Sequence, residues 1–548
     1  SHDTALDNEA GDLIFKTNDG SDGASPTERL RIDSDGSITT ATLGTDNVHL
    51  GEGAGAAIVS GGNQNTLIGK DAGTALTTGD DNVAVGFQSL DANTTGTNNT
   101  AVGKSSMSAI IDGGSNTAVG LMALSDDTKG SKSTAMGFQA LSTQNFTSAT
   151  DSHNTAVGYN AGSLITTGLF NTALGSRALA SSNTAWSNTA IGERALTSDT
   201  KGQGNVAVGY RTLQAQNFTS STDSNNTAVG MNAGAAVTTG TLNTLIGAES
   251  GDAITTGGDN VAVGAGAAGG LTSGYGNVAV GKDSLDVATT GNYNTAVGRN
   301  ALGGTTTGYQ NVGVGYSAGV NNTTGFLTCV GYNAGTANTT GSIIAIGNGT
   351  LVSATTATGM VGIGNGAGQA HTTQYGSTYI GHVAGYNSTG QNTCIGYASC
   401  YSGNGATSLT SGGGNTVVGG YTGVAAATNH SSIVIGHSAV GKGSQTGYIG
   451  AIGGVYQGNN YSTWSQTSDR RLKKNITDSS IGLAEINQLK VRNFEYKTKD
   501  DLSEIESDGL VEADIIDNSG VQVGAIAQEI QAVLPKCVTE QDTGVLSL

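Results

Sequence analysis

The chain has 548 residues with 88 glycines, only 2 prolines and a net charge of −19. Glycine follows no three-residue period, which excludes collagen, and the acidic balance disfavours nucleic acid, because no basic patch is present to neutralise phosphates. No apolar run approaches the ~20 residues of a membrane-spanning helix, no signal peptide is visible in residues 1–30, and no cofactor or metal is expected.

Residues 1–46 stand outside the pattern that follows. Leu13 to Lys16 and Leu30 to Asp33 alternate as short strands do and are separated by Asn, Asp, Gly and Ser, which predicts two strands joined by a loop. The run Glu28-Arg29-Leu30-Arg31-Ile32-Asp33-Ser34-Asp35-Gly36 resembles a segment of phage tail-fibre proteins.

From 47 to 453 one phrase, Asn-Thr-Ala-Val-Gly, returns every 17 residues, as at Asn99–Gly103, Asn116–Gly120 and Asn294–Gly298. A fixed period of this size predicts a solenoid of stacked coils, about 24 here. Two coils are 21 residues long and share an insert, at Gln144–Ser148 and Gln216–Ser220; the block from Asn116 recurs from Asn188, an internal duplication. Counting the phrase's Asn as slot 1, slot 3 is small and apolar and slot 4 is large and aliphatic. Neighbours in a strand point to opposite faces, so neither face favours water. One face should line the coil. The small-residue face is expected near the axis of a homotrimer, covered by other subunits. The phrase resembles the head repeat of trimeric autotransporter adhesins, a family whose fold is a parallel β-roll in a trimer, though the period here is longer.

Cys329 and Cys394 both occupy slot 3, four coils apart, roughly 19 Å at strand spacing. They cannot bridge each other and are expected as buried thiols. Cys400 and Cys537 show no metal-like partners.

After a junction at 454–467, residues 468–548 regain charge, Leu and Ile. Apolar residues at 481, 483, 486 and 489 fit a helix face, 491–497 and 521–527 read as strands, and 528–534 as a helix stopped by Pro535. Four blocks in order, Ser468–Ile476, Phe494–Lys497, Gly524–Glu529 and Val533–Val538, resemble the intramolecular chaperone of endosialidases and other phage tail proteins, the S74 peptidase family. The resemblance implies a small α+β domain that trimerises, guides folding of the rod and then cleaves itself off. It makes Ser468 the nucleophile and Lys473 its base, an autoproteolytic Ser-Lys pair acting on the chain itself. Attack on the preceding carbonyl passes through a five-membered ring and cuts between Thr467 and Ser468. The lysine acts as a base only when neutral, which nearby Arg470, Arg471 and Lys474 would favour. The family's long C-terminal helix would follow beyond Leu548.

Asp and Glu are absent from Val287 to Ser468, and that stretch holds 13 of the 17 tyrosines. A neutral surface rich in Tyr, Asn and hydroxyls suits glycans, and a two-carboxylate glycosidase cannot be built there. The candidate receptor-binding residues are Tyr375, Tyr386, Tyr397, Tyr401, Tyr421, Tyr456, Tyr461 and Trp464.

The expectation is therefore a mainly β homotrimeric fibre: a parallel solenoid with a self-cleaving chaperone, located in the virion as a tail fibre. Partners would be a host cell-surface glycan or other receptor, and tail or virion proteins at the N-terminal end. The rival is a bacterial surface adhesin. An ice-binding solenoid would need Thr rows more regular than these.

Overall fold

A computed structural model describes residues 44–373, 375–401 and 406–450 throughout, with strands between 3 and 39, and 455–457, 465–466, 470, 473–477, 481–497, 520–540 and 546–547. The chain divides into two units, Ser1–Gln466 and Thr467–Leu548.

The first unit opens with four antiparallel strands, Asp3–Ala5, Leu13–Thr17, Thr27–Ile32 and Ile38–Thr39, paired in sequence order. The two alternating runs seen in the sequence are its central pair. A parallel ladder of about 23 turns follows, from the strand Val48–Leu50 to the strand Gly447–Ile449. Each coil gives it one short strand, and register is strict: Ala84 lies opposite Ala101, and Val85 opposite Val102.

The 17-residue period has a steric cause at slot 5. Gly86 lies at φ +142°, and a Cβ there would sit 2.5 Å from the Gly103 carbonyl oxygen of the next coil. Backbone cannot yield as a side chain can, so only glycine fits. Slots 7, 9 and 17 also lie at positive φ, as in Gln88, Leu90 and Asn98. Left-handed conformations cost non-glycine residues roughly 1–2 kcal/mol each. At slot 9 burial offsets the strain, because Leu90, Leu124 and Leu179 are fully buried.

The lumen keeps its volume by exchange between slots 9 and 12. Where slot 9 is Leu, slot 12 is small or polar: Leu90 with Asn93, Leu124 with Asp127, Leu285 with Ala288. Gly73 pairs with Leu76, Gly162 with Ile165 and Gly251 with Ile254, whereas in the later coils Gly319 and Gly335 pair with Asn322 and Asn338. A Cβ on Gly251 would meet the Ile254 Cδ1 at 2.8 Å. Interiors close-pack, so most coils place one large side chain at these two slots; the coil with Met107 and Ile110, both fully buried, takes two.

Slot 3 fills the lumen, which corrects the expectation that small residues face a subunit axis. Ala84, Ala101, Ala118, Ala262 and Ala279 are fully buried within the single chain. The large aliphatics of slot 4 point outward instead; Leu174 is 45% exposed and Ile246 40%. Most coils set a methyl group at slot 3, although Leu67, Leu245 and Tyr379 fill the same slot and are also fully buried.

Slot 1 supplies the polar spine. The Asn99 backbone N–H donates to Asn82 Oδ1 at 3.0 Å, and Asn99 Nδ2 donates to the Gly113 carbonyl at 2.9 Å. Asn116 repeats both bonds, to Asn99 Oδ1 and to the Gly130 carbonyl. The ladder runs with few substitutions to Asn311, whose Oδ1 accepts the Leu327 N–H at 2.9 Å. Buried amides stay satisfied only because every coil repeats the same partner. Beyond it, slot 1 turns apolar at Leu327, Ile343 and Met360. Buried Asn322 and Asn338 at slot 12 then bond from coil to coil, with Asn322 Nδ2 donating to Asn338 Oδ1 at 2.9 Å.

Cys394 and Cys400 form a disulfide, with Cα atoms 5.9 Å apart. This overturns the reading of Cys394 as a free buried thiol. Slots 3 and 9 of one coil face each other across the lumen, so the partner lies six residues on rather than four coils away. Cys329 is a buried free thiol as expected; its slot-9 partner is Gly335, and burial pushes the thiol up to about 12.

Candidate functional site

Three places in the chain carry chemistry. The first is the second unit. Its described elements are the helix Leu483–Ile486, the strand Arg492–Phe494 antiparallel to Gln522–Gly524, the helix Ala527–Val533, a 3-10 turn Pro535–Cys537, and the strand Thr539–Glu540 antiparallel to Leu546–Ser547. The Glu485 carboxylate accepts the Gly482 N–H at 2.8 Å and opens the first helix; that bond holds its carboxyl below the usual carboxylate range. Pro535 ends the later helix, as the sequence predicts, because it has no N–H to continue it. Arg492 grips Glu529 with two bonds, 3.0 and 2.6 Å, joining strand to helix.

This unit buries little. Among the described residues, Ile530 is its buried hydrophobic, while Leu483, Val491, Val521 and Val523 are each 65% exposed or more. Of the cleavage residues, Thr467 and Ser468 lie outside the described residues, as does Arg471. Lys473 is exposed beside exposed Arg470 and Lys474, and its N–H donates to the Arg470 carbonyl at 3.1 Å.

Residues 468–539 match the family of the chaperone of endosialidase. A comparison with curated proteins finds no match. The endosialidase-chaperone segment begins two residues after the last strand of the first unit, Ser465–Gln466. The coarse reading of the chain, a β-solenoid carrying an intramolecular chaperone of a kind associated with trimeric fibres, rests on this match and on the ladder.

The second place is the carboxylate-free part of the ladder. His382 stacks on Tyr397 with ring centroids 5.2 Å apart and planes 8° off parallel. Tyr397 meets Tyr421 at 5.0 Å, and Tyr421 meets His437 at 6.1 Å, both edge to face. Four successive coils thus build one aromatic column. A hydrogen bond with the Tyr397 hydroxyl raises the Tyr421 phenol above its ordinary value. Tyr386 and Tyr401 pair separately at 5.4 Å. Exposed Tyr375 stands at another corner, lining a recess of about 400 Å³ with Gly390, Gln391, Ser411, Gly413 and Gly414. The structure therefore joins Tyr397 with Tyr421 and Tyr386 with Tyr401, and separates Tyr375. The side chain of Tyr456, together with Tyr461 and Trp464, lies outside the described residues. His382 and His437 were missed as column members, although both follow the slot-5 glycine directly, the signal that would have placed them.

The third place is buried. Asp127 and Asp199 occupy slot 12 of the coils just before the two 21-residue ones, and slot 12 of each longer coil answers them: Gln144 Nε2 donates to Asp127 Oδ2 at 2.6 Å and Gln216 Nε2 to Asp199 Oδ2 at 2.7 Å. The N–H of Gly130 and that of Phe146 complete the Asp127 shell, at 2.9 and 3.2 Å. Burial raises both carboxyls despite these bonds. The shared insert therefore reads as a donor supply for a buried acid. Among the described residues no group of His, Cys, Asp and Glu is placed to hold a metal.

Proposed function

We propose that the chain is a homotrimeric fibre of the phage tail type whose C-terminal segment registers the rod and then releases itself between Thr467 and Ser468. The observation that carries this reading is the match of 468–539 to the chaperone of endosialidase, directly after a long parallel ladder. Parallel strands of three chains must find one register among many, and such long-range pairing is slow and prone to error. A trimeric clamp supplies the register. Its loss leaves no low-barrier route back, so the rod is held kinetically.

In the cleavage step the Ser468 Oγ attacks the Thr467 carbonyl carbon while Lys473, in its neutral form, takes the hydroxyl proton. The C–N bond breaks as that proton passes to the Ser468 amine, leaving an ester. Water then hydrolyses the ester, giving a Thr467 carboxylate and restoring the hydroxyl. Because Lys473 is exposed in a single chain, the reading places its desolvation in the assembled trimer, so cleavage follows assembly.

The free tip would carry the column of Tyr397 and Tyr421 and the Tyr375 recess. Neutral hydroxyl, amide and phenol groups there suit a host surface glycan. Rings stacked along the column present edges and hydroxyls to solvent, so Tyr397 would act by hydrogen bonding, and Tyr375 would offer a ring face.

Expression of the full gene product and a denaturing gel test the processing step. The wild type should give a rod fragment and a smaller C-terminal fragment, and Ser468→Ala and Lys473→Ala should each give one uncut chain. An uncut wild type would remove the proposal.

A further inference from the structure

The outward face of the ladder has the composition of an interior. Slot 2 is Thr, Val or Ile in each strand from Val48 to Ile433, and slot 4 is Val, Ile, Leu or Met in each from Leu50 to Ile449. Neither slot carries a charge in any of them. The flanking slots vary freely, with Lys70, Lys104, Glu193, Lys282 and Arg299 at slot 6 and Asp81, Lys132 and Asp259 at slot 17. Slots 2 and 4 serve no purpose inside the coil, because slots 1, 3, 9 and 12 fill it. In the single chain they stand partly exposed, up to 64% at Leu50.

From these observations we infer that the slot-2 and slot-4 stripe is the surface on which further copies of this chain pack, parallel and in register. The occupant is set by commensurability. The stripe repeats at strand spacing over roughly 110 Å, and slots 2 and 4 stand about 7 Å apart. A partner must repeat at the same rise over the same length, and a second copy does so. The stripe covers about 800 Å² per chain, the area each partner contributes to a standard stable interface. The 21-residue coils and their duplicated neighbours interrupt the period asymmetrically, so only a parallel, in-register pairing sets equal coils side by side. Slot 4 then meets slot 4, and no charge is buried.

This inference rests on the self-associating fibre proposed above and names the face it uses. The test is Val280→Asp combined with Val263→Asp, set against Lys282→Asp on the flank. Each is read in the full gene product by analytical ultracentrifugation and far-ultraviolet circular dichroism. The paired stripe variant should keep the β signature of the coil, since both side chains point outward, but lose the trimer mass that the wild type and Lys282→Asp retain. Should the variant instead fail to fold, single cysteines give a second readout. Val280→Cys should form interchain disulfides under mild oxidation, and Thr290→Cys, on the exposed slot-14 corner, should not. Retention of the trimer by the paired variant, or cross-linking at 290 and not at 280, would overturn the face while leaving the fibre proposal standing. A monomeric wild type would overturn both.

Discussion

In the solenoid, slots 1, 3, 9 and 12 of a single chain close over one another: Ala101, Leu90 and Ile110 lose all contact with solvent, and Asn99 finds its partners in its own coil and the one before. In the C-terminal unit the apolar residues of the strands and first helix, Val491, Val521, Val523 and Leu483, face water, and one short salt-bridged contact ties strand to helix. The contrast teaches where each region gets its stability. A coil has its own interior, and the stripe proposed for partners lies outside it. The C-terminal unit buries one hydrophobic side chain, Ile530, among its described residues. In the proposed fibre such a domain would start the trimer, and a rod with its own interior could then lose that domain.

The sharpest way to break the contrast is to attack the coil from within. Gly86→Ala places a Cβ against backbone, which no rotamer relieves. Expected is loss of soluble, folded rod, scored by expression and circular dichroism. Asn99→Ala leaves the Asn116 N–H and the Gly113 carbonyl without their partners. Each unsatisfied buried group costs about 1–3 kcal/mol, so unfolding should come markedly earlier in denaturant, whereas Thr95→Ala, at an exposed position with ordinary backbone, should have little effect. The paired replacement of Cys394 and Cys400 by Ala should cost about 2 kcal/mol, as expected for closing a short loop, measured by denaturant midpoint. The same midpoint shift should follow reduction under conditions that open the rod.

Smaller effects separate the two regions further. In the native protein, Cys537 should react with a thiol reagent within minutes while Cys329 stays unlabelled, since one is exposed and the other is buried with its thiol pushed up to about 12. Asp127 gives a pH signature. Burial raises its folded value above the unfolded one, so the folded chain holds the proton more tightly. That stabilisation is complete below the unfolded carboxylate value and is lost as pH rises through the raised folded value. The difference in unfolding midpoint between wild type and Asp127→Asn should therefore move against the wild type from acid toward neutral pH. Arg492→Ala, which breaks an exposed ion pair, should barely move the melting temperature.

Much of the first unit was legible in the sequence. Period, coil length, the shared inserts and the alternation of slots 3 and 4 all follow from spacing, because each coil solves the same steric problem. The inward face was not legible. Alternation says that Ala101 and Val102 point opposite ways, yet both are apolar, and only the Leu90 and Ile110 side chains across the lumen decide that the methyl goes in. The same geometry hid the Cys394–Cys400 pair, since slots 3 and 9 are neighbours in space only once the turn at slot 5 is known. In the C-terminal unit the order of helix and strand was readable from 483 to 535, while the surroundings of Ser468 depend on contacts that one chain's sequence does not encode.

The most direct test of the fibre account is native mass spectrometry of the purified full gene product, with intact-mass analysis of the same sample after denaturation. Expected is a complex of three chains, each ending at Thr467, with the Ser468→Ala variant giving three uncut chains. A single chain, or a cut anywhere else, would contradict it.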